Sequence, residues 1–490
     1  MAALQLNLRG LSKHRAMLLR RRSYHHPCAD TLNALVGAPA APARPTPGEL
    51  SGWTIGLKSN IASTLLRTTC GSQALQTYTS PGDSTAWRLL QQAGAVLAGA
   101  TNMDEFGMGS HTRDSMHGRT ANPWDAERSA GGSSGGGAAA VARGLCRVAV
   151  GSDTGGSVRL PAAWCGVVGF KPSYGRVSRA GLVAYGSSLD TVGLLARTTA
   201  DVRQAFAVLA HPDARDMTCM TAHTRHRISH LCHTTRQDRP NPTGALPLAH
   251  VRVGVPAECW VHELSDACTA AWRQACHVLQ ALGCSVERVS LGHLQSALPA
   301  YYTVALAEAA SNMARFDGVR YGEPSGMGVR AGRAALLGAE VQRRVLLGTY
   351  VMGVEARRRF LGPAQRIRRL VQRDMDGVFA LPNAMRPGGG PGGRGVDVLL
   401  MPTAVGAAPL VSEETAEEGR CRAAGYVTDV MTVPANLAGI PAVSVPFGSD
   451  RGLPLGMQLM AQYGDDHLLL DVAEHLEAAW AARAPRLNTT

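Results

Sequence analysis

The sequence predicts an α/β protein built on a sheet core. Two observations carry this: segments of helical spacing are followed at once by short apolar runs, and those runs are bounded by glycine, proline and other turn residues. A third, the 55 glycines among 490 residues, implies many tight turns between such elements. In chain order, the Pro/Ala-rich linker APAAPARPTPGEL (38–50) hands over to an apolar strand, WTIGL (53–57). The stretch DSTAWRLLQQAG (83–94) opens on cap residues and keeps helical spacing, and AVLAGA (95–100) suits a strand. The alternation continues with GGGAAAVARG (135–144) as a helix and CRVAV (146–150) as a buried strand. Later, VDVLLMPTA (396–404) and PAVSVPFG (441–448) read as buried strands and HLLLDVAEHLEAAW (467–480) as a helix.

Composition excludes little by itself. Apolar residues at 45% and charged residues at 18% are ordinary for a soluble enzyme, and no apolar run approaches the roughly 18 residues that span a bilayer. The net charge of +12 invites a nucleic-acid role, but its distribution weakens that reading. Six basic residues, Arg9, Lys13, Arg15, Arg20, Arg21 and Arg22, precede the first carboxylate, Asp30. The segment LNLRGLSKHRAMLLRRRS sets leucines among arginines, includes hydroxyls and lacks acids, which is the make-up of a mitochondrial transit peptide, assigned here to residues 1–25. A basic nucleic-acid arm is the competing reading; without this leader the chain is only mildly basic. The eleven cysteines form no CxxC pair and follow no secretory signal, so they read as reduced thiols.

Two stretches depart from the α/β pattern and read as surface insertions, one near 211–250 and one near 382–395, PNAMRPGGGPGGRG. The first offers Cys219, His223, His226, His230, Cys232 and His233 as conceivable metal ligands. Their spacing matches no standard zinc pattern and no helix or strand is expected to organise them, so no metal site is assigned.

The chemistry concentrates in GSDTGGSVR (151–159), three glycines and two serines at the end of a buried strand. Such a junction cradles a phosphate or holds a serine nucleophile beside an oxyanion hole; neither GxxxxGK[ST] nor GxGxxG can be read here. Upstream lie a second Ser/Gly loop, RSAGGSSGGGAAAVA, with Ser133 and Ser134, and a lone lysine, Lys58, at the end of an apolar run, IGLKSN. Lysine, Ser/Gly loop and GGS loop in that order, with the serines of the two loops 24 residues apart, resemble the amidase signature family, whose signature is similar to the run from Gly131 to about Ser178.

The resemblance implies the amidase signature fold, a large mixed twisted β-sheet flanked by α-helices on both faces, with residues 26–490 as a single domain. It implies a Ser-cisSer-Lys triad: Ser157 as nucleophile, Ser133 as bridging serine after a cis Gly132–Ser133 peptide, and Lys58 as base. N–H groups of Thr154, Gly155, Gly156 and Ser157 would form the oxyanion hole, where glycine lets backbone approach substrate closely. A serine hydroxyl needs a base to take its proton, and a lysine serves near neutral pH only when desolvated by about three pKa units. The family commonly has Lys-Asp-Asn where this chain has Lys58-Ser59-Asn60, which implies reduced electrostatic support around the lysine.

Several segments resemble one branch of the family, the glutaminase subunits of tRNA-dependent amidotransferases: TNMDEFGMGS (101–110), GRVSRAGLVAYGSSLDTVG (175–193), AEAASNMARFDGVRYG (307–322), EVQRRVLLGTY (340–350) and TVPANLAGIPAVSVP (432–446). This implies glutamine as substrate, with Tyr301, Arg344 and Asp429 holding its α-amino and α-carboxylate groups and Tyr302 and Arg343 as adjacent alternatives. It implies two partners, a small C-type subunit (or fungal replacement) and a larger B subunit, with Glu-tRNA(Gln) bound by the complex mainly through the B subunit. No cofactor is implied in this chain; ATP and Mg²⁺ belong to the B subunit. With the leader, the location implied is the mitochondrial matrix. Two alternatives stay open: a stand-alone mitochondrial amidase acting on another small amide, and a catalytically idle scaffold subunit.

Overall fold

The computed structural model describes residues 30–39, 46–237, 246–324, 326–386, 395–413, 427–484 and 487; the leader expected over 1–25 lies outside them. Strands β1 (Leu35–Gly37), β2 (Thr54–Lys58), β3 (Val96–Thr101), β4 (Val148–Asp153), β5 (Val168–Lys171), β6 (Thr191–Ala196), β7 (Arg252–Pro256), β8 (Ser285–Val289), β9 (Val398–Pro402), β10 (Ala442–Asp450) and β11 (Leu453–Ala461) join in one sheet. Their spatial order is β1-β3-β2-β4-β6-β5-β10-β11-β9-β7-β8. The sheet is mixed: β2 runs parallel to β3 and β4, and β7 to β8 and β9, while β4–β6–β5–β10–β11–β9 pair antiparallel.

Helices cover both faces, as the alternation along β4 makes plain. Successive strand side chains point to opposite sides. Val148 and Val150 pack in the main core with Val202 and Phe206 of the helix Thr199–Leu209. Ala149, between them, packs with Ala138–Val141 of the helix Gly135–Arg143 on the other side. The amidase signature architecture expected from the sequence is thus the one observed. The helices and strands expected from the sequence also have their elements: the helix Thr85–Gln92 is capped by Ser84, whose hydroxyl accepts from Trp87 N, and the helix Asp466–Ala481 buries Leu469, Val472, Ala473 and Leu476.

A second core lies beside the sheet, where the helices Ala297–Met313, Ala339–Met352 and Gly362–Val378 pack around Tyr301, Val304, Val341 and Val371. These helices carry Tyr301 and Arg344, two of the three residues expected to bind substrate, and the third, Asp429, accepts a hydrogen bond from Tyr302 on the first of them.

Two local expectations need correction. The His-rich stretch contains a helix, Ala222–Gln237, anchored by buried Ile228 with Leu231 and Cys232 at helical spacing behind it. Arg225 secures its start by donating to the carbonyls of Met220, Ala210 and Arg176 at 3.0, 2.8 and 2.7 Å. A three-residue apolar stripe was enough, and the polar residues around it hid the period. His223, His226, His230 and His233 are exposed on this helix, and among the described residues no cluster of three or more His, Cys, Asp or Glu is arranged to hold a metal. The second stretch is not wholly superficial either. Asn383 and Ala384 are buried, with Asn383 donating to Asp376 at 2.8 Å, while residues 387–394 lie outside the described ones.

Candidate active site

Parallel pairing of β2 with β4 brings Leu57 beside Val150, so both strands end at the same edge. Lys58 closes β2, and the loop 154–158 leaves β4 directly beside it. The helix Gly135–Arg143 starts above this edge and brings Ser133 and Ser134 from the preceding turn. Ligand sites in α/β sheets favour such strand ends.

Lys58 is wholly buried. Its Nζ donates to Ser133 Oγ at 2.9 Å, to Ser134 Oγ at 2.8 Å and to the Ser152 carbonyl at 3.3 Å. Burial drives its pKa down to about 7, against the upward pull of Asp104, Asp153 and Asp190. The desolvation that the lysine needs is therefore present, and three carboxylates supply electrostatic support although position 59 is serine. Ser59 itself is buried with no hydrogen-bond partner for its hydroxyl among the described residues.

The hydrogen-bond directions around Lys58 are constrained. A carbonyl only accepts, and Ser134 Oγ itself donates to the Ser152 carbonyl at 3.3 Å, leaving Ser134 as acceptor toward the lysine. In the neutral amine, both N–H groups then go to Ser134 and Ser152, and the lone pair faces Ser133. Ser134 has no role in the sequence reading: of the SS pair, the resemblance implies Ser133 as the bridging serine.

The peptide between Gly132 and Ser133 is cis. Ser157, at the edge of the site, is half-buried, and its hydroxyl makes no hydrogen bond to the described residues; its carbonyl accepts from Ser134 N at 3.1 Å. The structure thus closes the Lys58–Ser133 link and leaves the Ser157 hydroxyl open to the site.

A buried ion pair frames the loop. Arg159 Nε and Nη2 donate to Asp153 Oδ2 and Oδ1 at 3.0 and 2.9 Å, and neither side chain is exposed. The same guanidinium donates to the Thr432 carbonyl, Gln458 Oε1 and Asn436 Oδ1 at 2.9, 2.5 and 2.6 Å. Burial pushes the Asp153 carboxyl up, but the Arg159 guanidinium outweighs it and holds the group at about 2. Asp153 also accepts from Gly156 N at 2.9 Å, so this N–H, expected in the oxyanion hole, is taken up inside the loop. Glycine is required at 155 and 156 by close approach: a Cβ at Gly155 would lie 2.3 Å from Tyr301 Oη, and one at Gly156, where φ is +133°, 2.1 Å from Thr432 Oγ1. Thr154 donates to Asp190 at 2.6 Å, and Thr432 to the Gly155 carbonyl at 2.6 Å.

The structure brings the expected substrate residues to the same place. Arg344 is 4% exposed, with Nε on Glu340 at 2.8 Å and Nη1 on Tyr185 Oη at 2.9 Å. Its neighbour Arg343 points toward the surface and pairs with Glu340. Asp429 is buried and accepts from Tyr302 Oη at 2.6 Å and from Ser110 Oγ at 3.0 Å; burial raises its pKa in spite of these donors. Tyr302, the adjacent alternative, is therefore the partner of Asp429, while Tyr301 stands against Gly155 with its ring edge-on to Tyr302 at 5.0 Å. The Asp153–Arg159 pair had a local signal, two opposite charges flanking Ser157; Tyr185, Thr432, Asn436 and Gln458 arrive from distant segments and had none.

Residues 22–470 match the Amidase family, and the chain belongs to that family. Within it, the chain is similar to the A-type subunit of the mitochondrial glutamyl-tRNA(Gln) amidotransferase of Mycosarcoma maydis, 44% identical over 476 residues that cover 93% of this chain and 88% of the relative. It is 42% identical over 456 residues to the corresponding glutamyl-tRNA(Gln) amidotransferase protein of Synechococcus sp. (strain RCC307), covering 91% and 87%. Among solved structures, the same subunit of the glutamyl-tRNA(Gln) amidotransferase from Thermotoga maritima is similar with a TM-score of 0.73 at 32% identity, covering 93% of this chain and 88% of that one. A 6-aminohexanoate cyclic dimer hydrolase complexed with substrate is similar at 0.72 and 29% identity, covering 93% and 92%.

Proposed function

We propose that the chain is the glutaminase (A) subunit of a mitochondrial glutamyl-tRNA(Gln) amidotransferase. The observation that carries the chemistry is the fully buried Lys58 amine, 2.9 Å from Ser133 Oγ, with burial bringing its pKa to about 7. In the reading this supports, the Ser157 hydroxyl attacks the side-chain amide carbon of glutamine while its proton passes through Ser133 to Lys58. The tetrahedral oxyanion is received by N–H groups about Thr154, Gly155 and Ser157. Collapse expels ammonia, which takes the proton back along the relay, and leaves Ser157 as a glutamyl ester. Water, activated by the same relay, releases glutamate.

Selection of glutamine rests on two buried groups of opposite charge. Arg344 suits the α-carboxylate and Asp429 the α-ammonium, with Tyr301 and Tyr302 filling the wall between them. The names of the relatives, each an A subunit of a glutamyl-tRNA(Gln) amidotransferase, support a larger assembly. In this reading its other members are a B subunit that uses ATP and Mg²⁺ to activate Glu-tRNA(Gln) and takes the ammonia, and a small third subunit. This chain's own chemistry calls for no metal or cofactor. The mitochondrial names among the relatives, with the basic leader, support action in the matrix.

The test is ammonia release from glutamine by the chain alone and with its B-type and small partners, Glu-tRNA(Gln) and ATP, beside Ser157→Ala. Stimulation by the assembled complex that the substitution abolishes is expected. Activity on other amides with none on glutamine under any condition would overturn the reading.

A further inference from the structure

The helix Ala339–Met352 has two working faces. Its inner face buries Val341, Arg344 and Gly348 against the helix Ala297–Met313. Its outer face carries Leu346, Tyr350 and Leu347, exposed to 71%, 61% and 40%, and continues into Met352 and Val354, the latter 80% exposed. Phe360, in the π-helical segment Arg357–Leu361 that follows, has its ring centre 6.3 Å from that of Tyr350. So many large apolar side chains in one exposed place mark a contact surface.

Beside them opens a groove of ≈ 530 Å³ lined by Met352, Val354, Arg357, Arg358, Gly362 and Arg366. From Gly353 to Arg373 the chain carries seven arginines and one carboxylate, Glu355. Among the described residues, Arg357, Arg358 and Arg366 form no ion pair, so the groove is an apolar floor with unneutralised cationic walls. RNA would use the arginines and the two aromatic rings but gain nothing from exposed leucine, methionine and valine. Met, aromatic and Arg side chains together are the make-up of a protein interface core.

We infer that this surface is the docking site for an amphipathic helix of a partner subunit, with an apolar stripe that covers Leu346, Tyr350 and Val354 and flanking aspartates or glutamates that meet Arg357, Arg358 and Arg366. The inference rests on the proposed amidotransferase reading and says where that assembly grips this chain. Because Arg344 sits on the opposite face of the same helix, docking outside bears directly on the side chain assigned to glutamine inside.

The experiment uses the full chain co-expressed with its B-type and small subunits. Arg357→Glu/Arg358→Glu/Arg366→Glu and, separately, Leu346→Ser/Tyr350→Ser are compared with wild type for retention on a tagged partner, and p-benzoylphenylalanine placed at position 354 is photolysed in the complex. Expected are a loss of affinity of at least about tenfold in each variant, melting temperature and unassisted glutamine hydrolysis as in wild type, and a crosslink from position 354 to a partner subunit. Retention equal to wild type in both variants, or no crosslink to protein, overturns the docking site. Intact retention with weakened Glu-tRNA(Gln) binding overturns it in favour of RNA. If the wild-type chain itself fails to assemble, the amidotransferase reading falls and takes this inference with it.

Discussion

Asp153 and Arg159 stand on either side of Ser157 in the chain and meet through two hydrogen bonds of 2.9 and 3.0 Å, both side chains closed off from solvent. Removing one member of such a pair strands a charge in the interior, which costs about 3–5 kcal/mol. Arg159→Met and Asp153→Asn are therefore expected to lose that much stability in urea unfolding, along with hydrolysis. A loss under about 1 kcal/mol would mean that the loop is held by other contacts.

Lys58 sets the pH dependence. With its pKa brought to about 7, acylation should rise with pH through that value as the amine loses its proton. Stability follows the same sign. The unfolded lysine titrates at 10.5, so between about 7 and 10.5 the unfolded chain binds the extra proton and the fold gains stability as pH rises. Lys58→Met should abolish hydrolysis and remove part of that slope in melting curves, the rest staying with the equally buried Lys171, whose pKa burial also brings down to about 7; a slope unchanged by the substitution would locate the titration elsewhere.

Ser133 and Ser134 both touch the lysine but should fail differently. Ser133→Ala removes the proposed proton link between Ser157 and Lys58, with an expected loss of about 10²–10⁴-fold in acylation rate. Ser134→Ala removes an acceptor that stabilises the ammonium, so the acid limb should move down by about one pH unit while the plateau rate falls about tenfold. Pre-steady-state rates across pH separate the two. Identical profiles would show that Ser134 does not orient the amine.

Arg344→Lys keeps the charge and loses the planar fork. A rise in KM for glutamine of about 10²-fold is expected, with kcat less affected and hydrolysis of a simple amide lacking the α-carboxylate unchanged. Equal losses on both substrates would make Arg344 a structural residue. Arg343→Lys, on the neighbouring outward side chain, serves as the control.

Much of the site was legible because its parts are local. Ser157 and the loop glycines lie in one nine-residue run, and Lys58 ends a strand that its apolar neighbours announce. The Arg344 and Asp429 assignments depended on resemblance, since nothing in EVQRRV says which arginine turns inward; packing of Val341 and Gly348 against a neighbouring helix decides it. The helix Ala222–Gln237 escaped because one buried and two partly buried side chains among thirteen others give a weak period. Gly156 was misjudged for a different reason: its N–H satisfies a carboxylate three residues upstream, a competition between local acceptor and substrate that composition does not reveal.

The partners of Arg159 have a consequence for how the protein comes to life. Lys58, Ser133, Ser157 and the Asp153–Arg159 pair are made in the first third of the chain, yet three of the five hydrogen bonds of the Arg159 guanidinium go to Thr432, Asn436 and Gln458, which emerge from the ribosome roughly 270–300 residues later. A nascent or truncated chain carries Lys58, Ser133, Ser157 and the Asp153–Arg159 pair but lacks the distant half of the frame around them. Hydrolysis is therefore expected to stay silent until synthesis is finished, and a proteolytic cut that sheds the C-terminal strands β10 and β11 should switch it off while leaving Lys58, Ser133 and Ser157 untouched.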